Sequence, residues 1–332
     1  MKPDLKPIHE QVLFITGGSS GIGLVTARRA AARGARVFLF ARDEESLVRA
    51  AGEIRRAGGE AEYAAGDVAD VEALRAAATA CARAFGGIDT WVNDAGVSAY
   101  ARLTELPAED ARRIFETNYW GTVHGCLTAL PPLRTRGGAI VNVGSVLSDR
   151  AIPLQGHYCA SKHAVKGFTD ALRMELRKDD WPVSVSLVKP SAINTPYLEH
   201  AGNRMGVEPS LPPPVYAPEV VADAILACAE KPVRSVTVGG GGRMLAVLGA
   251  VAPRLTDAYM EAFVWDQQRK DGPQTIRPEG ALHAPLPGHA HGPYEGHVAR
   301  SSVYTAAKLH PALRLGALAG IAAGAALEMR AR

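Results

Sequence analysis

Val12-Leu13-Phe14-Ile15, then Thr16-Gly17-Gly18-Ser19-Ser20-Gly21-Ile22-Gly23, then a helix-forming stretch from Leu24 to Arg33: the order of these three pieces decides the fold. The first is a short apolar run suited to a buried strand. The second is a turn in which glycines let the backbone approach a ligand closely, and the third opens a helix whose positive end faces that turn. Strand, glycine-rich turn and helix in this order form the context in which a glycine motif points to a dinucleotide. The spacing is Gly-x-x-x-Gly-x-Gly, not the commoner Gly-x-Gly-x-x-Gly.

Outward from there, apolar and often β-branched runs alternate with amphipathic or alanine-rich stretches. Strands are predicted at Val12 to Thr16, Arg36 to Ala41, Ala61 to Ala65, Thr90 to Asn93, Ala139 to Val143, Val183 to Val188 and Ser235 to Val238. Helices are predicted near Gly21 to Arg33, Glu45 to Ala57, Val71 to Phe85, Ala108 to Leu130, Tyr158 to Arg177 and Pro218 to Glu230. Such alternation predicts right-handed βαβ units: an α/β fold with a doubly wound, Rossmann-type parallel sheet of about seven strands and helices on both faces. Ligands on such a sheet bind beyond the carboxyl ends of the strands. The glycine turn, Asp67, Asn93, Ser145 and the segment from Pro190 all follow strands and so share that edge.

His157-Tyr158-Cys159-Ala160-Ser161-Lys162 carries the chemistry. Residues four apart share one helix face, so the phenol of Tyr158 and the ammonium of Lys162 project side by side. A neighbouring cation favours the phenolate and lowers a tyrosine pKa from its usual value of about 10. A phenol tuned in this way can exchange a proton with an alcohol oxygen. Ser145, thirteen residues upstream of Tyr158, ends a predicted strand and can hydrogen-bond the same oxygen.

Taken together these motifs resemble the short-chain dehydrogenase/reductase family of nicotinamide-dependent oxidoreductases, over roughly residues 10 to 240. Thr16-Gly17-x-x-x-Gly21-Ile22-Gly23 matches that family's glycine motif, and Asn93-Asp94-Ala95-Gly96 matches its Asn-Asn-Ala-Gly segment with Asp in the second place. Asn118, Ser145, Tyr158 and Lys162 fall at the spacings of its catalytic tetrad. Pro190-Ser191-Ala192-Ile193-Asn194-Thr195 resembles its Pro-Gly-x-Val-x-Thr segment, with Ser191 where glycine is usual. The resemblance implies that Tyr158 is the general acid/base, that Lys162 also holds the nicotinamide ribose, that Ser145 polarises the substrate oxygen and that Asn118 supports a proton relay to the lysine. It implies cofactor contacts from Gly17, Ser19, Ser20, Gly21, Ile22 and Gly23 in the glycine turn. Asp67 and Val68 would contact the adenine, with Asn93, Ala95 and Gly96 beside them and Pro190, Ile193 and Thr195 on the carboxamide side.

Cofactor preference turns on the end of the second strand, Ala41-Arg42-Asp43. An acid there accepts from the ribose 2′-hydroxyl of NAD, whereas an arginine pairs with the 2′-phosphate of NADP. In the family's register the acidic position falls on Ala41 and Arg42 takes the basic position, so NADP is expected over NAD. A shift of one residue would offer Asp43 to the ribose.

The 332 residues, 47% hydrophobic and 21% charged, suit a globular enzyme, and a net charge of +3 without a dense basic run gives no support for nucleic-acid binding. Cys81, Cys126, Cys159 and Cys228 are scattered, which argues against a zinc site or disulfide framework and suits a reducing cytoplasm. The first residues lack the apolar core of a signal peptide. Residues 1–240 are expected to form the NAD(P)-binding catalytic domain, with a substrate loop at about 196–216, and residues 241–332 a C-terminal helical extension.

Within that extension Gly239 to Gly242 should end the last strand, and Arg243 to Gln268 reads as one or two helices with an apolar side. The stretch 271–297, dense in proline, glycine and histidine, should be a solvated loop, with no metal held by His283, His289, His291 and His297. A tail helix near 312–330 has Gly316, Gly320 and Gly324 spaced by four, a strip suited to packing on its own domain, on a partner subunit in a homo-oligomer, or to peripheral membrane contact. Its uncharged run, Leu315 to Leu327, is shorter than the roughly 20 residues needed to cross a bilayer.

The pocket segments Val146 to His157 and Tyr197 to Tyr216 bring Leu147, Ile152, Leu154, Tyr197, Leu198, Met205 and Leu211, with Gln155 and His157 as polar exceptions. That mixture predicts a mostly apolar alcohol or carbonyl substrate. The alternatives from other classes are a non-catalytic NAD(P)-binding scaffold and a membrane-associated protein on the same fold.

Overall fold

The computed structural model describes residues 3–270 and 278–309. Seven parallel strands form the central sheet: β1 (Val12–Thr16), β2 (Arg36–Ala41), β3 (Glu60–Ala65), β4 (Thr90–Asn93), β5 (Gly138–Val143), β6 (Val183–Pro190) and β7 (Ser235–Val238). Their order across the sheet is β7-β6-β5-β4-β1-β2-β3, and every neighbouring pair runs parallel. The chain therefore reverses its direction of travel between β1 and β4, and a crevice opens there beyond the carboxyl ends.

Side-chain alternation along each strand divides the core in two. On β1, Leu13 and Ile15 enter one apolar cluster while Val12 and Phe14 enter the other; on β2, Val37 and Leu39 part from Phe38 and Phe40 in the same way. The first cluster is covered by α1 (Gly21–Ala31), α2 (Glu44–Arg56) and, further along, the helix at Pro218–Glu230; the second by α3 (Val71–Phe85) and by helices that follow β4 and β5. In the second cluster Phe14 stacks on Trp91, ring centroids 4.0 Å apart. Asp43 and Asp70 cap α2 and α3, accepting from Ser46 N–H at 3.2 Å and Glu72 N–H at 2.9 Å.

The expected single helix from Ala108 to Leu130 is three pieces: α4 (Ala108–Phe115), a π-helical turn (Glu116–Trp120) and α5 (Gly121–Arg136). The wider turn carries Asn118 to the inside. α5 continues through Pro131 and Pro132. Pro131 cannot donate to the Leu127 carbonyl, but Leu127 lies on the solvent face, where water can take that bond. α6 (Gly156–Lys178) carries Tyr158 and Lys162, α7 (Tyr197–His200) begins the substrate loop, and α8 (Pro218–Glu230) precedes β7.

After β7 the chain differs from expectation in two places. Gly240, Gly241 and Gly242 do not close the strand; they open α9 (Gly240–Val251), followed by α10 (Pro253–Tyr259), a second π turn and α11 (Trp265–Gln267). The glycines are required by close packing. A Cβ on Gly242 would lie 2.5 Å from a Val146 methyl, and one on Gly241 would lie 3.2 Å from the Pro214 ring.

The second difference is the stretch expected to be a solvated loop. Its described part, residues 278–297, is irregular but packed: Leu282 is wholly buried, and the backbone bonds to the crevice at Arg42, Gly21 and Asn194. Long-range hydrogen bonds hold what no periodic pattern announces. His283, His289 and His291 each pair with an acid, Asp110, Glu199 and Glu219, at 2.8 Å. The segment ends by pairing Val298–Ala299 with Val215–Tyr216, and α12 (Val303–Leu309) packs on β7. The tail helix expected at 312–330 lies outside the described residues. No described helix is long and apolar enough to cross a membrane.

Candidate active site

The crevice is built from strand ends. Thr16, the last residue of β1, offers its hydroxyl to the N–H groups of Asp94 and Ala95 at 3.1 and 3.2 Å, tying the glycine turn to the segment after β4. Gly17, with φ +72°, donates to the Phe40 carbonyl at 2.8 Å and sits so near Ala95 that a Cβ would come within 2.9 Å of its nitrogen. Gly23 is equally confined, its missing Cβ facing the Gly17 backbone and the Asp94 carboxylate. Only glycine lets α1 start this close to the sheet. Ser20 stands at the N-cap without a side-chain bond to the helix, and Gly21 faces Thr195 across the crevice.

Three of the four expected catalytic side chains border one cavity of about 710 Å³ at the carboxyl edge: Ser145, Tyr158 and Lys162. Ser145 ends the β5 turn, where a short 3₁₀ turn fixes it: its hydroxyl accepts from Leu147 N–H at 3.0 Å, and its own N–H donates to Ser148 at 3.1 Å. α6 then presents Tyr158 and Lys162 one turn apart. The Lys162 ammonium donates to the carbonyl of Val143, two residues before Ser145, at 2.9 Å.

Asn118 lies just behind. Its amide donates to the Val97 carbonyl at 2.9 Å and the Ser161 hydroxyl at 3.0 Å, and its oxygen accepts from Val97 N–H at 2.8 Å. Gly96 fills the gap: a Cβ there would lie 3.4 Å from the Asn118 oxygen and 3.7 Å from the Lys162 nitrogen.

Burial dominates the electrostatics. It holds the Tyr158 phenol well above its usual value of about 10, with the Ser145 hydroxyl pulling the other way. The expected lowering by Lys162 is not found: burial raises the phenol, Cys159 and Asp94 add to the rise, and the opposing group is Ser145. Burial also lowers Lys162 to about 8, opposed by the Asp94 carboxylate, and pushes Asp94 up to about 7, opposed by Lys162 and by the Gly23 N–H. Asp94, the departure from the Asn-Asn-Ala-Gly pattern, lines the same cavity.

The remaining expected residues divide. Ile22, Gly96, Pro190, Ile193 and Thr195 line the cavity. Ser191 needs no glycine, since among the described non-glycine residues only Leu154 and Asp180 have positive φ. The Asn93 side chain is consumed inside the sheet, donating to Asn142 and accepting from Trp91, both at 2.8 Å, so only its backbone is left for the crevice. Val68 is buried against Gly121.

Asp67 accepts from Ala69 N–H at 2.9 Å and pairs with Arg113; against the opposing effect of burial, those bonds keep its carboxyl below the usual range. Arg42 donates to the carbonyls of Leu282, at 3.0 Å, and Ala281. Asp43 is turned away as the α2 cap, bonded to the N–H and hydroxyl of Ser46.

Opposite the catalytic side chains the wall is apolar. Leu147, Ile152 and Leu211 line it as expected, with Gln155 and Tyr197 as polar points, while Leu154, Leu198, Met205 and His157 are not part of the lining. Tyr197 donates from its hydroxyl to Ser98 at 2.8 Å or Gln155 at 2.5 Å, and its ring meets Tyr158 edge-on at 5.7 Å. Sequence reasoning missed Met244, Leu245, Leu248, Leu255 and Tyr259, the inner side of α9 and α10. The apolar side of Arg243 to Gln268 was the signal; nothing local said which surface it would meet.

Known proteins are similar to this chain in sequence and fold. The structure of an alcohol dehydrogenase from the archaeon Thermococcus sibiricus, complexed with 5-hydroxy-NADP, matches with a TM-score of 0.60 at 26% identity, covering 68% of this chain and 95% of that one. An oxidoreductase of Bacillus subtilis, YxnA, itself uncharacterized, is 41% identical over 98% of this chain and 93% of its own length. A 3beta-hydroxysteroid dehydrogenase of Mediterraneibacter gnavus is 33% identical over 58% of this chain and 69% of that protein. The short chain dehydrogenase family model matches residues 11–205, a stretch that holds the glycine turn, Ser145, Tyr158 and Lys162 together. An oxidoreductase fold with these residues at one strand edge has one attribution: the chain belongs to the short-chain dehydrogenase family.

Proposed function

We propose that the protein is an NADP-dependent oxidoreductase that interconverts an alcohol and its ketone or aldehyde on a mostly apolar substrate. The observation that carries this reading is the convergence of Ser145, Tyr158 and Lys162 on one apolar cavity beyond the sheet. The residues present fit a dinucleotide. Gly17 and Gly23 let the turn and α1 pack against the segment after β4, a Cβ on Gly21 would narrow the crevice toward Thr195, and Arg42 stands at the end of β2 with Arg113 nearby and, among the described residues, Asp67 as the carboxylate that acts on it. Asp43, occupied as a helix cap, does not compete for a ribose hydroxyl.

When bound, the cofactor supplies or accepts the hydride. Tyr158 supplies the proton to the substrate oxygen in reduction and removes it in oxidation. A phenol held above its usual pKa is protonated at neutral pH, the state that reduction requires. Ser145 hydrogen-bonds the same oxygen and steadies the charge that develops on it. Lys162, fixed to the Val143 carbonyl, places a cation beside the phenol as that charge forms, and Asn118 holds the backbone through which a relay to the lysine would run.

The cavity wall of Leu147, Ile152, Leu211, Leu245 and Leu248 favours a lipid-like, steroid-like or aromatic body over a sugar. A spectrophotometric screen of NADPH oxidation over carbonyl compounds of graded polarity tests this. Turnover of apolar ketones or aldehydes is expected; no turnover of any carbonyl by protein that binds NADPH would refute catalysis.

A further inference from the structure

We propose that residues 279–292 are the outer wall of the dinucleotide site, a strap that lies over the adenosine and pyrophosphate half of the bound cofactor and must lift for it to leave. The inference rests on the NADP reading above. It starts from where the strap is attached. At one end Leu282, with no exposed surface, is buried against Val97, Ala99 and Ile114, and its carbonyl receives Arg42 at 3.0 Å and Arg113 at 2.9 Å. Ala281 gives its carbonyl to the other arm of Arg42.

In the middle, Gly288 donates to the Ser46 hydroxyl at 2.9 Å and lies against the Ser19 carbonyl so closely that no Cβ fits, while the His289 carbonyl accepts from Gly21 N–H at 2.9 Å. At the far end Gly292 donates to the Asn194 carbonyl at 3.3 Å and rests on the Thr195 backbone.

Along the strap these attachments pass from one lip of the crevice to the other. Arg42, Ser46 and Ser19 belong to the lip of the glycine turn and β2; Asn194 and Thr195 belong to the lip after β6. A chain fixed to both lips bridges the path between Arg42 and Thr195, which is the course a dinucleotide takes from its 2′-phosphate to its carboxamide. The strap is also tied down beyond this stretch, where Val298–Ala299 pairs with Val215–Tyr216. Its histidines pair with Asp110, Glu199 and Glu219, and its buried side chains are the small Ala281 and Ala290 and the one larger Leu282. Cofactor release thus requires breaking a small set of backbone bonds and unseating one leucine.

The test measures NADPH release by stopped-flow fluorescence from the full chain, from Leu282→Ala and from Gly292→Ala, whose added methyl meets the Thr195 carbonyl. Both variants are expected to release NADPH at least about tenfold faster, and in Leu282→Ala release of reduced nicotinamide mononucleotide, which lacks the adenosine half, is expected to be unchanged. Saturating NADPH is expected to protect residues 279–292 of the unaltered chain from limited proteolysis. Gly292→Ala keeps the test decisive should Leu282→Ala fail to fold. Release rates equal in all three proteins overturn the strap, and so does greater cleavage on NADPH binding, which would mean the segment is displaced. Unaltered protein that does not bind NADPH at all overturns the cofactor reading itself, and the strap with it.

Discussion

The Lys162 ammonium lies 5.7 Å from the centre of the Tyr158 ring, so the cation sits over the phenol while its proton is donated to the Val143 carbonyl. In the proposed mechanism the lysine is a fixed charge, held by the end of β5, and the tyrosine is the group that exchanges a proton. Tyr158→Phe should therefore lower kcat by about 10²–10⁴-fold, the contribution of a positioned general acid. NADPH affinity, measured by fluorescence titration, should change by no more than about twofold, since a phenyl ring keeps the packing against Tyr197. Turnover near that of the unaltered protein would remove Tyr158 from its role.

Asp94 should set the pH response. Burial pushes its carboxyl up to about 7 and Lys162 down to about 8. Above about 7 the carboxylate is ionised and favours the ammonium; above about 8 the ammonium loses its proton. Charged carboxylate and charged lysine coexist in the window between, and kcat/KM should peak there. Asp94→Asn should abolish the acid limb of the profile and move the alkaline limb to lower pH, because the carboxylate that raises Lys162 is gone. Superimposable profiles for the two proteins would show that Asp94 does not act on the lysine.

How much of this was legible differs along the chain. The sheet and its edge were readable because apolar strand runs and helix-forming stretches alternate locally, and because the glycines after β1 mark a turn where the backbone can approach a ligand. Asn118 was placed correctly in sequence but not in depth, since nothing in Glu116–Trp120 distinguishes a π turn from an α-helical one. Where the stretch at 278–297 would be tied was not legible, for a deeper reason. Its proline and glycine content says only that it makes no regular element, and its conformation is set by Arg42, Ser46 and Gly21, roughly 240 to 270 residues away in the chain. The apolar side of α9 was visible, yet whether it met a membrane, a partner or the substrate cavity depended on a contact with Val146 that no local pattern encodes.

Arg42 should decide between the cofactors. Its guanidinium, next to Arg113, leaves two cations against the carboxylate of Asp67. Arg42→Ala removes a charge-assisted partner for a 2′-phosphate, a loss of about 1.5–3 kcal/mol, or roughly 10- to 150-fold in affinity. Because the same arginine also fastens the strap, some weakening toward both cofactors is expected. The diagnostic quantity is the ratio of NADPH to NADH dissociation constants, which should fall at least about tenfold. An unchanged ratio would assign Arg42 to the strap alone.

The extension helices should set substrate affinity without touching the cofactor. Leu245 lines the cavity from α9, a helix whose start is pressed onto Val146 and Ser191 through Gly242, so the wall is close to the catalytic face and firmly placed. Desolvating an apolar substrate against one leucine contributes about 1.5–3 kcal/mol when burial is complete, and less at a partly exposed wall. Leu245→Asp should thus raise KM for the most apolar carbonyl substrates by about tenfold, a difference of about 1.4 kcal/mol. The effect should shrink as substrates become more polar, and NADPH affinity should not move, since Leu245 lies away from the glycine turn and Arg42. A uniform loss across all substrates would instead mean that the charge disturbs the packing of α9 on the Val146 turn, where Ser145 is held.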